Sequence, residues 1–171
     1  MTNLHIVFSH GKESGPWGSK ITKMADYAKS ICDCEIHSID YQDLDSPDDR
    51  VQRLIDFLKA LDGKIILVGS SMGGYVSTVA STQVEVDGLM LLAPAFNLPG
   101  YKVHNPTTPC KNLQVIHGWH DDIVPYQNSV KFAEIHNAKL TLVNDGHRLS
   151  GSEGDLRKIL KSILNNIGKN I

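Results

Sequence analysis

Short apolar runs alternate along this chain with stretches whose apolar residues fall three and four apart, a rhythm that predicts strands followed by helices. Leu4 to Ser9 (LHIVFS) runs apolar up to His10-Gly11 and predicts a first buried strand, with His5 as a strand-end or edge residue. A loop follows to Pro16, and Ile21, Met24, Ala25, Ala28 and Ile31 then mark one stripe of an amphipathic helix. Glu35 to Tyr41 (EIHSIDY) alternates weakly between charged flanks, which predicts an edge strand with His37 exposed. Ser46-Pro47-Asp48-Asp49 is a helix start, with a serine N-cap, a proline at the first helical position and acids in the first turn. Val51, Leu54, Ile55, Leu58 and Leu61 carry its buried face toward Gly63.

The next stretch, Lys64 to Ala80 (KIILVGSSMGGYVSTVA), combines three signals. Ile65 to Val68 is an unbroken apolar run of strand length, Gly69 to Gly74 turns the chain sharply, and Val76, Val79 and Ala80 recur at helical spacing. Within the turn, Gly69, Ser71 and Gly73 spell G-x-S-x-G. A serine at the tip of so tight a strand-to-helix turn has a strained backbone, and the chain two residues before and after it closes up enough to demand glycine. The helix beginning near Met72 points its free amides at whatever Ser71 meets, favouring negative charge there. A nucleotide loop is not the reading, because Ser71 replaces the middle glycine of G-x-G-x-x-G and no Gly-Lys-Ser/Thr follows. A purely structural turn is the alternative that this stretch alone leaves open.

Asp87 to Ala93 predicts a further buried strand closed by Pro94, and Pro94 to Lys111 has no period and several prolines. Leu113 to His117 is the next strand. Tyr126 to His136 follows as a short helix that offers Val130, Phe132 and Ala133 to the core. Leu140 to Val143 is the last strand. A final helix carries Leu156, Ile159, Leu160, Ile163, Leu164 and Ile167 on one face, with Ser152-x-x-Asp155 as a capping box. Strands that alternate with helices require right-handed crossovers and a parallel sheet. The expected fold is α/β, a three-layer α/β/α sandwich on a mainly parallel six-stranded sheet.

Composition narrows the function classes. A chain of 171 residues suits one domain, taken as residues 1–171. With 17 basic and 19 acidic residues and no run of five or six like charges, neither nucleic acid nor a membrane surface is an expected partner. The N-terminal MTNLHIVFSHGKE has no basic leader, and the uncharged stretch Gly88 to Tyr101 is broken by prolines, so a soluble, cytoplasmic protein is expected. Cys32, Cys34 and Cys110 form no disulfide framework, in keeping with a reducing compartment. Cys32-x-Cys34 with His37 falls short of a zinc pattern, and no metal or other cofactor is expected.

In a parallel sheet every loop after a strand emerges at one edge, where open α/β folds bind ligands. Four such loops carry reactive residue types: His10-Gly11-Lys12, the Ser71 turn, Asp121-Asp122, and Gly146-His147. A serine hydroxyl becomes a competent nucleophile when a histidine takes its proton and a carboxylate orients that histidine. Chain order here is serine, aspartate, histidine. His10, His117 and His120 read as structural neighbours of such a site, and Trp119 as either a lining or a rim residue.

With GSSMGG, HGWHDDIVP, DGHRLS and SHGK in those loops, the chain resembles the α/β-hydrolase superfamily along essentially its whole length, most closely its small, lidless bacterial esterase- and thioesterase-like members. The resemblance implies a minimal fold with no lid domain, Ser71 as nucleophile, His147 as general base and acid, and Asp121 as orienting carboxylate. It selects Asp121 over its neighbour Asp122 because His117, Gly118, Asp121, Val124 and Pro125 match the family's H-G-x-x-D-x-x-V-P loop. It also implies backbone amides of Met72 and Lys12 as the oxyanion hole. The chain departs from the family in lacking an N-terminal hairpin and in having His-Gly-Lys in place of His-Gly-Gly-Gly. The expected activity is hydrolysis of a small ester or thioester through an acyl-enzyme. The alternatives are an amidase or peptidase with the same triad and a binding protein that retains only the fold. Without a lid, an open, shallow site selecting short or modest acyl groups is expected, shaped by the Pro94–Lys111 and oxyanion loops.

Overall fold

Right-handed crossovers put a helix on the face set by the direction in which the chain moves across the sheet, and this chain reverses direction once. In the computed structural model, which describes residues 2–168, strand β1 (Leu4–Ser9) leads through helix α1 (Ser19–Ile31) to β2 (Glu35–Ile39) on one side. Helix α2 (Pro47–Lys59) then carries the chain back across β1 to β3 (Lys64–Ser70) on the other. From there α3 (Met72–Ala80), β4 (Gly88–Leu92), β5 (Leu113–Gly118), α4 (Tyr126–His136) and β6 (Lys139–Val143) continue in the same direction. The strand order is β2-β1-β3-β4-β5-β6, and every pairing is parallel. The domain limits expected at residues 1 and 171 lie outside the described residues.

The reversal decides the layers. Helices α2, α3 and α4 share one face with Val7, Ile65, Leu67, Leu89, Leu91 and Val115. Helix α1 covers the other face together with α5 (Glu153–Gly168), against Ile6, Phe8, Ile66, Val68, Met90, Leu92 and Ile116. Neighbouring residues of each central strand thus serve opposite cores, which is why apolar residues follow one another along these strands without alternation. The edge strand β2 is only half-buried, as its weaker pattern predicts. The sheet is parallel throughout, and the three layers are those expected.

Local chemistry sets most boundaries. Pro47 opens α2 after Ser46, whose Oγ accepts a hydrogen bond from the Asp49 amide at 3.4 Å. The expected capping box of α5 does not form: Ser152 Oγ donates instead to Asp145 Oδ2 at 2.7 Å, while the Ser152 carbonyl accepts from Leu156. Val130 is exposed, so α4 meets the core through Ser129, Phe132 and Ala133. His5, placed by its spacing at a strand end, is buried near the start of an interior strand. Among the described residues no helix is long and apolar enough to cross a membrane.

Candidate active site

The reversal between β1 and β3 splits their following loops to opposite faces and leaves a crevice at the carboxyl edge of the sheet. Ser71 stands in it. Its backbone has φ 55° and ψ −116°, and although it precedes a helix its side chain makes no capping bond. The conformation is held from both sides: Ser71 N donates to Leu92 O at 2.9 Å, and Ser71 O accepts from Gly74 at 2.9 Å and Ala95 at 3.0 Å. Glycine is required on both flanks. A Cβ on Gly69 would meet the Gly73 carbonyl, and one on Gly73 would enter the Ser9 carbonyl at the end of β1.

The freed hydroxyl is engaged elsewhere. Ser71 Oγ lies 3.0 Å from His147 Nε2, and His147 Nδ1 lies 2.6 Å from Asp121 Oδ2. A carboxylate accepts only, so Nδ1 carries the proton and Nε2 presents a lone pair to the serine hydroxyl. Asp121 is saturated with donors. Its Oδ1 accepts from the Ile123 amide at 2.8 Å and the Val124 amide at 2.7 Å, and its Oδ2 also faces His117 Nε2 at 2.9 Å. Burial pushes this carboxyl up, but the bonds from His147, Val124 and Ile123 outweigh it, so it stays below the ordinary carboxylate range. Asp122 is exposed and takes no part in this chain of bonds.

His117 Nε2–H points at Asp121 Oδ2 and Val124 O, both 2.9 Å away, and in the neutral ring Nδ1 accepts from Ser129 Oγ at 2.7 Å. Burial lowers its basicity in agreement with that state. His10 is also buried: Nδ1–H donates to Gly11 O at 2.7 Å and Nε2 accepts from the Tyr41 amide at 2.9 Å. Arg50, reaching across from α2, donates through Nη1 to the same Gly11 carbonyl at 3.3 Å and through Nε to Leu44 O at 2.8 Å. In a trans peptide the carbonyl and the next N–H point in opposite directions. Holding Gly11 O toward His10 and Arg50 therefore turns the Lys12 N–H the other way. Among the described residues, neither the Lys12 amide nor that of Met72 has a protein acceptor. Gly11 lies close enough to the serine that a Cβ there would be 3.5 Å from Ser71 Cβ.

A sequence model described as "Alpha/beta hydrolase family" matches residues 6–149, most of the chain. The chain belongs to the alpha/beta hydrolase family. Among solved structures it is similar to a protein described as a hydrolase of the alpha/beta superfamily from Xanthomonas campestris pv. campestris, at 29% identity and TM-score 0.87, over 96% of this chain and 99% of that one. It is also similar in fold to an α/β serine hydrolase without a lid from Xanthomonas campestris, at 20% identity and TM-score 0.62, over 94% and 81% of the two chains. Est1E from Butyrivibrio proteoclasticus superposes with TM-score 0.76 at 17% identity, over 98% and 89%. No curated protein matches the sequence.

Within this alpha/beta hydrolase the structure brings together Ser71, His147 and Asp121 and places the Lys12 loop beside them. The site is not the shallow surface expected. A cleft of about 790 Å³ opens at Ser71, within the range of small-molecule sites. The β4–β5 connection contributes Ala95, Leu98 and Tyr101, and Lys12 to Gly15 contribute from the oxyanion loop, as expected. The depth comes from Ile21 and Met24 of α1, Leu149, and Leu156 of α5, residues whose sequence spacing reads only as core. Lys20 also lines the cleft, its amine donating to Arg148 O at 3.3 Å and drawn down to about 8 by burial. Trp119 is outside the lining, exposed and edge-on to Tyr126.

Asp145 is the residue sequence reasoning missed. Its Oδ1 accepts from the Gly146 amide at 2.7 Å and its Oδ2 from the Gly151 amide at 2.9 Å and Ser152 Oγ, so it ties both ends of the loop that presents His147. The signal was available in Asp145-Gly146, since aspartates bond amides close along the chain, yet the loop's closure at Gly151 has no sequence spacing to announce it.

Proposed function

We propose that this protein is a serine hydrolase that cleaves a small ester or thioester through an acyl-enzyme. The observation that carries the reading is the unbroken line of hydrogen bonds from Asp121 through His147 to Ser71, at 2.6 and 3.0 Å. His147 Nε2 takes the Ser71 proton as Oγ attacks the acyl carbon, and the imidazolium is stabilised by the Asp121 carboxylate. The carbonyl oxygen, now negative, is received by the amides of Met72 and Lys12, the first backed by the N-terminus of α3. His147 then gives its proton to the departing alcohol or thiol. Water attacks the acyl-enzyme in the same manner and releases the acid, regenerating Ser71.

The cleft volume supports acyl groups longer than acetyl, a size that falls within the short or modest acyl groups expected. A binding protein that keeps only the fold would have no need of His147 in reach of both partners, and the observed bonds favour turnover.

Two measurements test the reading. A fluorophosphonate probe is expected to label the wild type and not Ser71→Ala, and the same substitution is expected to lower kcat by about 10⁴ to 10⁶. Equal labelling of the two proteins, or none of the wild type, refutes it. A panel of p-nitrophenyl esters of increasing chain length, run beside acyl-thioesters and aminoacyl amides, identifies the leaving group. Activity confined to amides would replace the ester reading with the amidase one.

A further inference from the structure

At the amino end of the sheet, away from the Ser71 cleft, β1 and β2 place His5 directly opposite Glu35, with His37 opposite Val7. Side chains alternate across a strand, so Cys34 and Ile36 turn to the α1 face, where they pack with Cys32. Glu35 and His37 take the other face with His5, and His37 lies edge-on to Phe57 of α2 at 5.1 Å. The same alternation keeps Cys32, Cys34 and His37 from meeting as one ligand set.

Three donor atoms converge there. His5 Nδ1 and His37 Nε2 are 3.1 Å apart, and Glu35 Oε2 is 3.6 Å from the first and 3.8 Å from the second. His5 Nε2–H donates to Asp62 O at 3.0 Å, which leaves His5 Nδ1 as a fixed, unprotonated lone pair. The Glu35 oxygen is too far from either nitrogen for a good hydrogen bond, yet nearly equidistant from both. Ligands about 2.0–2.2 Å from a tetrahedral ion sit roughly 3.2–3.6 Å from each other, which these three atoms approach. A ligating histidine whose other ring N–H is held by a backbone carbonyl is the usual outer arrangement of such sites.

We propose that His5 Nδ1, His37 Nε2 and Glu35 bind one divalent transition-metal ion of the zinc type and so fasten the edge strand β2 to β1. Two imidazoles and a carboxylate suit zinc, cobalt or nickel rather than calcium or magnesium. His37 gives up its bond to His5 by moving its proton to Nδ1, and the exposed Glu35 side leaves the fourth position to water. His5 and Ser9 are about 13 Å apart along β1 at roughly 3.3 Å per residue. The ion therefore acts on the stability of the fold and not on chemistry at Ser71.

The test begins with chelator-stripped full-length protein titrated with zinc chloride by calorimetry and with cobalt chloride by absorbance, in a non-coordinating buffer. One ion per chain is expected, with a rise in Tm of roughly 5–10 °C at a hundredfold excess over Kd. Glu35→Gln, a surface change that leaves the fold intact, and His37→Ala should each weaken binding at least about tenfold and abolish most of the Tm shift. His147→Ala, which removes the imidazole of the cleft, should bind zinc as the wild type does. No stoichiometric binding, unchanged binding in Glu35→Gln and His37→Ala, or binding lost in His147→Ala overturns the proposal.

Discussion

A serine at φ 55° and ψ −116° occupies backbone space that costs a non-glycine residue about 1–3 kcal/mol. Its amide and carbonyl together make three strong backbone bonds, each contributing about 1 kcal/mol net, and these are enough to hold it there. The strain belongs to the backbone and not to the hydroxyl, so two substitutions separate them. Ser71→Gly should be more stable than Ser71→Ala by about 1 kcal/mol, a Tm difference of roughly 2–4 °C, with both equally inactive. Thermal melts of the two variants check this, and equal Tm values would show an unstrained elbow. Ser71, Asp121 and His147 were legible in the sequence because each follows a strand of a parallel sheet, which turns order along the chain into proximity. His117 was legible as a neighbour of the site, and it does lie against Asp121, whereas Asp145 and Arg50 were not legible in their roles. Their partners are backbone groups and the Ser152 hydroxyl, brought near only by the folded loops.

Helix α2 illustrates how an element shapes a site that it does not line. Its start, with Ser46 and Pro47, and its apolar stripe were plain in the sequence, yet the same pattern gave no reason to single out Arg50. That residue is buried, lies 5.6 Å from the Tyr41 ring centroid, and spends its guanidinium on the Leu44 and Gly11 carbonyls. Removing it leaves the Gly11 carbonyl held by His10 alone and loosens the Gly11–Lys12 peptide. Arg50→Met is accordingly expected to lower kcat roughly tenfold to a hundredfold with little change in KM, less than the loss of an oxyanion donor outright. Steady-state kinetics on the best ester decide the matter, and a rise in KM alone would assign Arg50 to substrate binding. The cap of α5 failed for a related reason. Ser152 had a stronger partner in the Asp145 carboxylate, which belongs to the preceding loop and lies outside the four-residue window a capping box uses.

Across the whole molecule, the buried histidines make the fold sensitive to acid before its carboxylates do. His10 and His117 are fully buried and held below the ordinary histidine range by that burial. The unfolded chain binds protons at these positions from about pH 6.5 downward while the folded chain does not, so stability is lost as pH falls below that value. Each site contributes up to about 1.4 kcal/mol per pH unit in this window. A second loss follows below about pH 4, where Asp121 and Asp145 stay ionised in the folded state and protonate first in the unfolded one. Urea midpoints should therefore hold between pH 7.5 and about 6.5 and fall from there to pH 4.5, and a flat profile to pH 5 would contradict neutral His10 and His117. At this scale the sequence was most informative. The unbroken apolar strands announced a sheet buried on both faces, and the family match and the all-parallel order agree with it.

The β4–β5 connection, which carries no helix, has a shape with a use of its own. The Asn97 amide bonds the His104 carbonyl at 3.2 Å, closing the chain between them into a small excursion, and Tyr75 Oη fixes its far limb by accepting from the Val103 amide at 3.1 Å. Leu98 and Tyr101 of that excursion line the cleft, while at Gly100 a side chain would meet only open space. Lengthening a closed surface loop costs only about 0.6 kcal/mol per doubling. The protein thus has a hem at the mouth of its cleft that can be let out without unpicking the sheet, a place where natural or designed insertions would build a lid.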